Sequence, residues 1–267
     1  MSQPRQDSYR VLVDRSFIHV AVADGVGSQD HSHIGADVAA LAAVEASRLG
    51  NEASQVVEAA TQRILATAAS MGIEPVRLST TLCWARIEVG EPHTAWAVEA
   101  AEWGDSEVLV YDTRKLRDGH PRWQRLRKQD DNPANLVRAL PLHSEMQAYS
   151  NDVSWSAGEV FGLFSDGVAS DVRYDTVLGH ALAKEWNTVP SPWSFIGQLA
   201  FRYRPANDDR TAVVLWRRDF GSDNDSTMAD AEERKSERRA ARDHLHEIAD
   251  PLDSPRSAQV VNSSPPL

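Results

Sequence analysis

The chain has a single cysteine, Cys83, so no disulfide can form within it. Cys83 lies in the apolar run 81–85, a setting typical of a buried, unreactive thiol rather than of a nucleophile. Long apolar runs are missing as well, since no window approaches the roughly 20 apolar residues that a membrane span needs. No positively charged segment followed by an apolar stretch opens the sequence. We therefore expect a cytoplasmic protein that makes no contact with a membrane.

Positive charge is also scarce. The 28 Lys and Arg residues are outnumbered by 39 Asp and Glu residues, which gives a formal net charge of -11. A surface of this sign repels phosphate backbones and anionic lipids, so nucleic acid is not an expected partner. Hydrophobic residues, in contrast, make up 42% of the 267 positions, which is enough for a sizeable core.

Hydrophobic periodicity divides the chain into groups of strands and helices. Two β-branched, aromatic-rich runs at 9–13 and 17–23 predict a hairpin whose second strand is buried on both faces. Further strands are predicted at 79–89, 94–102, 106–113, 159–165 and 211–217, and helices at 34–49, 53–71, 172–186 and 192–203. Because this order lacks regular βαβ alternation, it predicts an α+β domain of antiparallel sheets packed with helices.

The composition changes at Asp219 to Ser, Asp, Asn, Glu and Arg, with too little apolar content to fold alone. The sequence therefore predicts a folded domain at 1–218 and a polar C-terminal tail at 219–267. We expect the tail to be largely disordered, with a solvated helix at 228–249 supported by charge pairs three and four residues apart.

Two hydrophobic strands end in the same dipeptide, Asp24-Gly25 and Asp166-Gly167. A strand anchored in the core holds the carboxylate rigidly, while glycine lets the backbone turn and approach a ligand closely. Further aspartates lie at strand boundaries in 207–211 and 103–106. Clustered carboxylates suit Mg²⁺ or Mn²⁺, whereas zinc is disfavoured because the chain has one Cys and no His pair on a suitable helix. Each motif alone is also common turn chemistry, so only their order and spacing are informative.

In sequence order, these motifs resemble those of the protein phosphatase 2C family. The pieces are Gln6-Asp7-Ser8-Tyr9, Val22-Ala23-Asp24-Gly25-Val26-Gly27-Ser28, Ser79-Thr80-Thr81-Leu82, Trp103-Gly104-Asp105-Ser106, Phe164-Ser165-Asp166-Gly167-Val168 and Asp208-Asp209-Arg210-Thr211-Ala212-Val213. The resemblance spans residues 5–217. It is strongest to the compact bacterial branch, in which Val or Met, here Val26, replaces a His of the eukaryotic members.

The resemblance implies a layered α-β-β-α sandwich of two antiparallel sheets flanked by helices, with two divalent cations at one end. It implies that Asp24 bridges the two ions, which are Mn²⁺ or Mg²⁺. Asp166 and Asp208 would complete the coordination of one ion. The backbone carbonyl of Gly25 would bind the other ion, and Asp7 would support that second ion or its water.

Asp105 would contribute to a weaker third ion. In the family an Asp four residues after the position of Asp166 assists there, but this chain has Ser170 at that place. The third ion therefore has fewer expected ligands than in the family.

The resemblance and the chemistry of paired metals together predict hydrolysis of phosphoserine and phosphothreonine by in-line attack of a metal-bridging water. Asp24, Asp166 and Asp208 would be the catalytic residues. The expected partners are phosphorylated proteins, the substrates of a Ser/Thr kinase, and the expected state is a monomer.

The N-terminal segment departs from the family pattern. Ser2 occupies the position where the family usually has a phosphate-clamping Arg, so Arg5, out of register, is the candidate substitute. Gln6 stands where an acidic residue is frequent. Two alternatives follow: a weak or inactive phosphatase-fold module that binds phosphoproteins, and a phosphomonoesterase of small molecules. Retention of Asp24, Asp166 and Asp208 favours catalysis, since three repelling carboxylates need a cation.

Overall fold

The computed structural model describes residues 5–91, 93–117, 120–126, 138–142, 149–173, 177–200 and 209–217. All of them belong to one unit, Met1–Asp219. Asp208 and the polar tail predicted at 219–267 lie outside the described residues.

The described residues form nine strands, five α-helices and one short 3₁₀ helix. The strands are β1 (Ser8–Val13), β2 (Phe17–Ala23), β3 (Leu82–Glu88), β4 (Trp96–Trp103), β5 (Glu107–Arg117), β6 (His120–Arg125), β7 (Tyr149–Trp155), β8 (Glu159–Phe164) and β9 (Ala212–Trp216). The helices are α1 (Ser32–Arg48), α2 (Ala53–Met71), α3 (Asp166–Arg173), α4 (Val177–Glu185) and α5 (Pro192–Leu199), with the 3₁₀ helix at Pro75–Leu78.

The strands form two antiparallel sheets. Sheet 1 has the order β1-β2-β3-β4-β7 and sheet 2 the order β6-β5-β8-β9. Helices α1 and α2 pack on sheet 1, and α3 and α4 pack on sheet 2. The predicted α+β class and the layered α-β-β-α sandwich of two antiparallel sheets flanked by helices are confirmed.

The core has three layers, and β2 borders two of them. Its Ala21 and Ala23 face the helices, whereas Val20 and Val22 belong to the layer between the sheets, and all four are fully buried. Burial on both faces fixes the position of this strand, since burying one aliphatic side chain stabilises the fold by about 1.5–3 kcal/mol. The third layer, under α3 and α4, combines aliphatic side chains with a cluster of aromatic rings around Trp186.

Helix α1 lies unusually close to its neighbours because its contact face is made of small residues. Ala36, Ala39, Ala40 and Ala43 are all fully buried there. A Cβ on Gly35 would lie 1.9 Å from the carbonyl oxygen of Leu78, so this helix touches the 3₁₀ turn backbone to backbone. The first turn of α1 is thereby held beside the end of β2.

Three elements differ from the sequence predictions. The helix predicted at 172–186 is two helices, and the first of them begins at Asp166 rather than after a turn. Strands β6 and β7 were not predicted, because their sequences are polar and lack clear alternation. Both strands lie at the edges of the sheets that the described residues form, where polar residues are tolerated.

A membrane-spanning helix was not expected. Within the described ranges, every helix is too short or too polar to traverse a lipid bilayer.

Candidate active site

Asp24 is held at the end of β2 by a fixed backbone. Its carbonyl oxygen accepts hydrogen bonds from the Thr81 amide and the Thr80 hydroxyl, each at 2.8 Å. Its own amide donates to the Thr81 hydroxyl at 3.2 Å. Because the strand behind it is fully buried, the carboxylate of Asp24 projects from a rigid support.

Gly25 lies between the N-terminal segment and α1. Its amide donates to the carbonyl of Gln6 at 3.2 Å. A Cβ at this position would lie 2.8 Å from the carbonyl carbon of Ser32 and 2.9 Å from the oxygen of Gln6. Any side chain would therefore push the two segments apart, which explains the need for glycine here.

Asp166 follows β8 and is the first residue of α3. The end of β8 is tied to the start of β9, since the Ser165 amide donates to the Thr211 carbonyl at 2.9 Å. The Thr211 amide in turn donates to the Ser165 hydroxyl at 3.0 Å. A negative charge at the first turn of a helix is favoured by the exposed amides and the helix dipole. These contacts bring the segment that begins at Asp209 against the Asp166-Gly167 turn.

Asp7, Asp24 and Asp166 lie close enough to influence one another directly. Burial, and after it the neighbouring charges of Asp7 and Asp166, together raise the pKa of Asp24 to about 11. Burial also raises the pKa of Asp7, and the charge of Asp209 adds to this, whereas the neighbouring Asp24 side chain acts in the opposite direction. The end of the two sheets therefore concentrates negative charge that disfavours ionisation.

The carboxylate oxygens of this cluster fit a hard cation. Both oxygens of Asp7 and Oδ1 of Asp166 are buried without a hydrogen-bond partner of ordinary geometry. Such oxygens are costly to bury, and a divalent cation satisfies them and neutralises their repulsion. No three His, Cys, Asp or Glu groups among the described residues form a complete metal cage by themselves. The described residues thus supply part of a site, and Asp208 is not among them.

Asp105 lies in the half-buried turn between β4 and β5. The preceding Gly104 has φ of 98°, and a Cβ there would lie 2.7 Å from Thr81 Cγ2. The Thr81 and Ser106 hydroxyls are hydrogen-bonded at 2.7 Å. Since Thr81 also binds the amide of Asp24, the turn that carries Asp105 is linked to the Asp24 backbone.

Arg5 lies across the start of β9. Its Nη2 donates to the carbonyl of Arg210 at 2.7 Å and to the hydroxyl of Thr211 at 2.6 Å. The guanidinium is exposed and on the same end of the sandwich as Asp7. This placement makes it available to a bound anion, although two of its contacts support β9.

Sequence reasoning gave Asp209 no role, yet its Oδ2 accepts a hydrogen bond from the amide of Gln6. Its position beside Asp208 in the same motif was the available signal. Thr80 and Thr81 were quoted as part of the family pattern without a structural role. The structure shows that they position the Asp24 backbone, and the roles predicted for the acidic residues and Gly25 stay predictions.

One family model matches most of this chain. The profile of the family described as Protein phosphatase 2C matches residues 1–195. A search of curated proteins finds no match.

Solved structures share the fold. The catalytic domain of the serine threonine protein phosphatase PstP, in complex with 2 manganese ions, is 19% identical with a TM-score of 0.54, over 80% of this chain and 91% of that chain. The RsbU and RsbW domains of Rv1364c from Mycobacterium tuberculosis are 15% identical with a TM-score of 0.51, over 81% of this chain and 56% of that chain. The PP2C phosphatase domain of SpoIIE from Bacillus subtilis, with a fragment of its regulatory domain, is 14% identical with a TM-score of 0.50, over 78% and 56% of the two chains. At these identities the likeness shows the fold alone.

Proposed function

The chain belongs to the protein phosphatase 2C family, and from this premise we propose that it is a metal-dependent phosphatase of phosphoserine and phosphothreonine in proteins. The observation that carries the proposal is the convergence of Asp7, Asp24 and Asp166 at one end of the sandwich. The buried oxygens of Asp7 and Asp166 that lack a hydrogen-bond partner provide ligand chemistry that such a reaction requires. Phosphorylated proteins, the products of a Ser/Thr kinase in the cytoplasm, are the proposed substrates.

Two divalent cations, Mn²⁺ or Mg²⁺, would be held by Asp24 and Asp166 with the carbonyl of Gly25, Asp7 and Asp208. When bound, such ions lower the pKa of a water for in-line attack on phosphorus and neutralise the phosphate charge. The PstP catalytic domain, which has the same fold, contains two manganese ions. Asp105 is the proposed ligand of a weaker third ion.

The chain's own residues orient the reacting groups. Thr80 and Thr81 fix the backbone of Asp24, so the strand end that carries its carboxylate is held in place before a ligand binds. The exposed guanidinium of Arg5 is the proposed contact for the substrate phosphate, through the donors that do not bind Arg210 and Thr211. Val26 cannot donate a proton, so the leaving alkoxide takes its proton from solvent.

Two other functions compete with this one: a phosphoprotein-binding module without activity, and a phosphomonoesterase of small molecules. A binding module has no use for clustered carboxylates whose burial and mutual repulsion raise the pKa of Asp24 to about 11. The cation requirement therefore favours a catalyst over a passive module.

The test is hydrolysis of p-nitrophenyl phosphate and of a phosphothreonine peptide, with Mn²⁺, Mg²⁺ or chelator. We expect cation-dependent turnover of both substrates, with a loss of at least about 100-fold in Asp24→Asn and in Asp166→Asn. The matched control is Glu45→Gln, whose carboxylate pairs with Arg63 on the helical surface at 3.0 Å. Turnover of p-nitrophenyl phosphate alone would favour the small-molecule esterase, and phosphopeptide binding without turnover would favour the inactive module.

A further inference from the structure

The two faces of β1 have different surroundings. Ser8 and Arg10 bind Asp37 of α1, and Leu12 packs into the core layer under that helix. Because side chains alternate along a strand, the residues between them point the other way. These are Tyr9, Val11 and Val13, and they form what is called here the β1 strip.

The β1 strip points toward the space between the sheets but is not covered there. Tyr9 pairs with Val22 and Val11 with Val20, and both partners on β2 are fully buried under sheet 2. Tyr9, Val11 and Val13 themselves are 54%, 46% and 66% exposed. Sheet 2 packs over β2 through β8 and β9, so β1, the outermost strand of sheet 1, extends beyond that cover.

The strip continues directly into the candidate active site. Asp7 lies two and four residues before Tyr9 and Val11, so it belongs to the same side of the strand. It is buried near Thr211 at the start of β9. An open groove is lined by residues from both regions: Arg5, Asp7, Ser8, Tyr9, Arg10 and Val11. One end of the groove therefore holds the buried carboxylate of Asp7 beside Arg5. The other end holds the exposed side chains of Tyr9 and Val11, with Arg10 between them in the sequence.

We propose that the β1 strip binds the substrate residues that precede the phosphorylated residue, in an extended peptide that lies antiparallel along β1. This inference rests on the proposed function, since it places the phosphate at Asp7 and Asp24. With a rise of about 3.4 Å per residue, Tyr9 and Val11 lie about 7 and 14 Å along the strand from Asp7. The matching substrate carries apolar side chains two and four residues before its phosphorylated residue.

Three observations favour a phosphopeptide as the occupant. The groove is continuous with the carboxylate cluster, so a chain lying in it reaches the site without a turn. The exposed guanidinium of Arg5 lies on the same face and attracts a phosphate dianion in a protein of net charge -11. An outermost strand accepts an additional extended segment through main-chain hydrogen bonds, and antiparallel addition continues the pattern of sheet 1.

The test compares three phosphothreonine peptides of equal length and charge. The first has Leu two and four residues before the phosphothreonine, the second has Asn there, and the third has Leu one and three residues before it. In the native chain with Mn²⁺, we expect kcat/KM for the first peptide to exceed that for the other two by about tenfold. In the double variant Tyr9→Ser, Val11→Thr, that ratio should fall to about one. Ile196→Thr, at another exposed apolar position on α5, should keep the native ratio.

A binding measurement separates this inference from the proposed function. Fluorescence anisotropy of the same labelled peptides in chelator reports affinity whether or not the chain hydrolyses them. If the chain shows no turnover with Mn²⁺ but binds the first peptide more tightly than the other two, and the double variant loses this preference, the catalytic proposal is rejected and the docking proposal stands. Equal values for the three peptides, or a preference that survives the double variant, would overturn the docking proposal.

A second copy of the chain could also cover an exposed outer strand. Sedimentation of the native chain and the double variant at assay concentration distinguishes this case. A native dimer that the double variant converts to monomer would assign the strip to self-association and overturn the proposal. A monomer in both samples is the expected result.

Discussion

The carbonyl oxygen of Asp209 lies against the α-carbon of Gly167, where a Cβ would be only 2.2 Å away. This contact joins the turn that carries Asp166 to the segment just after Asp208. Two acidic motifs more than 40 residues apart in sequence can thus lie in contact only because Gly167 has no side chain.

Gly167→Ala tests that contact. The added methyl group must displace a backbone carbonyl, so we expect a loss of about 1–3 kcal/mol in the free energy of unfolding and a large loss of cation-dependent turnover. Gly197→Ala is the matched control, because nothing lies within 4 Å of a Cβ at that helical position. Urea denaturation and p-nitrophenyl phosphate hydrolysis measure the two effects, and equal behaviour of the two variants would contradict the contact's importance.

Asp24 makes the stability of the metal-free protein depend on pH. Its pKa rises from an ordinary 3.8 to about 11 on folding, so the folded state holds the proton more tightly than the unfolded chain. The contribution to stability is complete below the ordinary pKa and is lost as pH rises from there toward about 11. In chelator, we therefore expect the Tm of the native chain to decrease from about pH 5 to about pH 8 more steeply than that of Asp24→Asn, which cannot ionise. Differential scanning fluorimetry measures both slopes, and parallel slopes would refute the assignment.

Cations should reverse the order of stability of the same two proteins. At neutral pH without metal, we expect Asp24→Asn to be more stable than the native chain by on the order of 1 kcal/mol. Folding must protonate the carboxyl of Asp24, which is ionised in the unfolded chain, and asparagine removes this cost. Mn²⁺ at 100 times its Kd should stabilise the native chain by about 2.7 kcal/mol and the variant far less. A thermal shift of equal size in both proteins would place the bound cation elsewhere.

Thr81 is expected to act as a positioning residue. Thr81→Val removes the hydroxyl that binds the Asp24 amide and Ser106, so we expect a loss of about 1–3 kcal/mol in stability and a lower kcat. Thr81→Ser keeps the hydroxyl and should restore most of kcat. Thr61→Val is the buried control, since that hydroxyl donates to the Val57 carbonyl within α2. Failure of serine to rescue would indicate that the methyl group, not the hydroxyl, matters.

Cys83 should be inert in the folded protein. Burial raises the pKa of its thiol well above the ordinary value, and the nearby charge of Glu102 raises it further. We expect no modification by iodoacetamide at pH 8 over an hour and complete modification in denaturant, measured by intact mass. Rapid labelling of the native chain would show that the interior between the sheets opens readily.

The fold could be predicted where the apolar pattern was strong. The buried strand 17–23 and the helices at 34–49 and 53–71 agree with the structure to within two residues at each end. Polar edge strands gave no such signal, because only one face of β6 or β7 needs to be apolar.

The candidate site was predictable as a set of acidic strand ends, but its supports were not. Hydrogen bonds between Asp24 and the pair Thr80 and Thr81 join positions over 50 residues apart, and no local sequence pattern predicts such a pairing. The same holds for the contact between Gly167 and Asp209. The order of the motifs in the sequence identifies the acidic residues, whereas the contacts that hold them in place are seen only in the folded structure.

The alanine face of α1 has a further consequence for how the fold is ordered. An alanine side chain has no rotamers to lose, so packing this helix on sheet 1 costs almost no side-chain conformational entropy. The contact between α1 and sheet 1, next to Gly25, therefore forms by close approach of the backbones and does not require long side chains to become ordered. Leucine in place of Ala39 or Ala40 would add apolar area. It would also need space that this interface does not have, and its side chain would lose conformational entropy on packing.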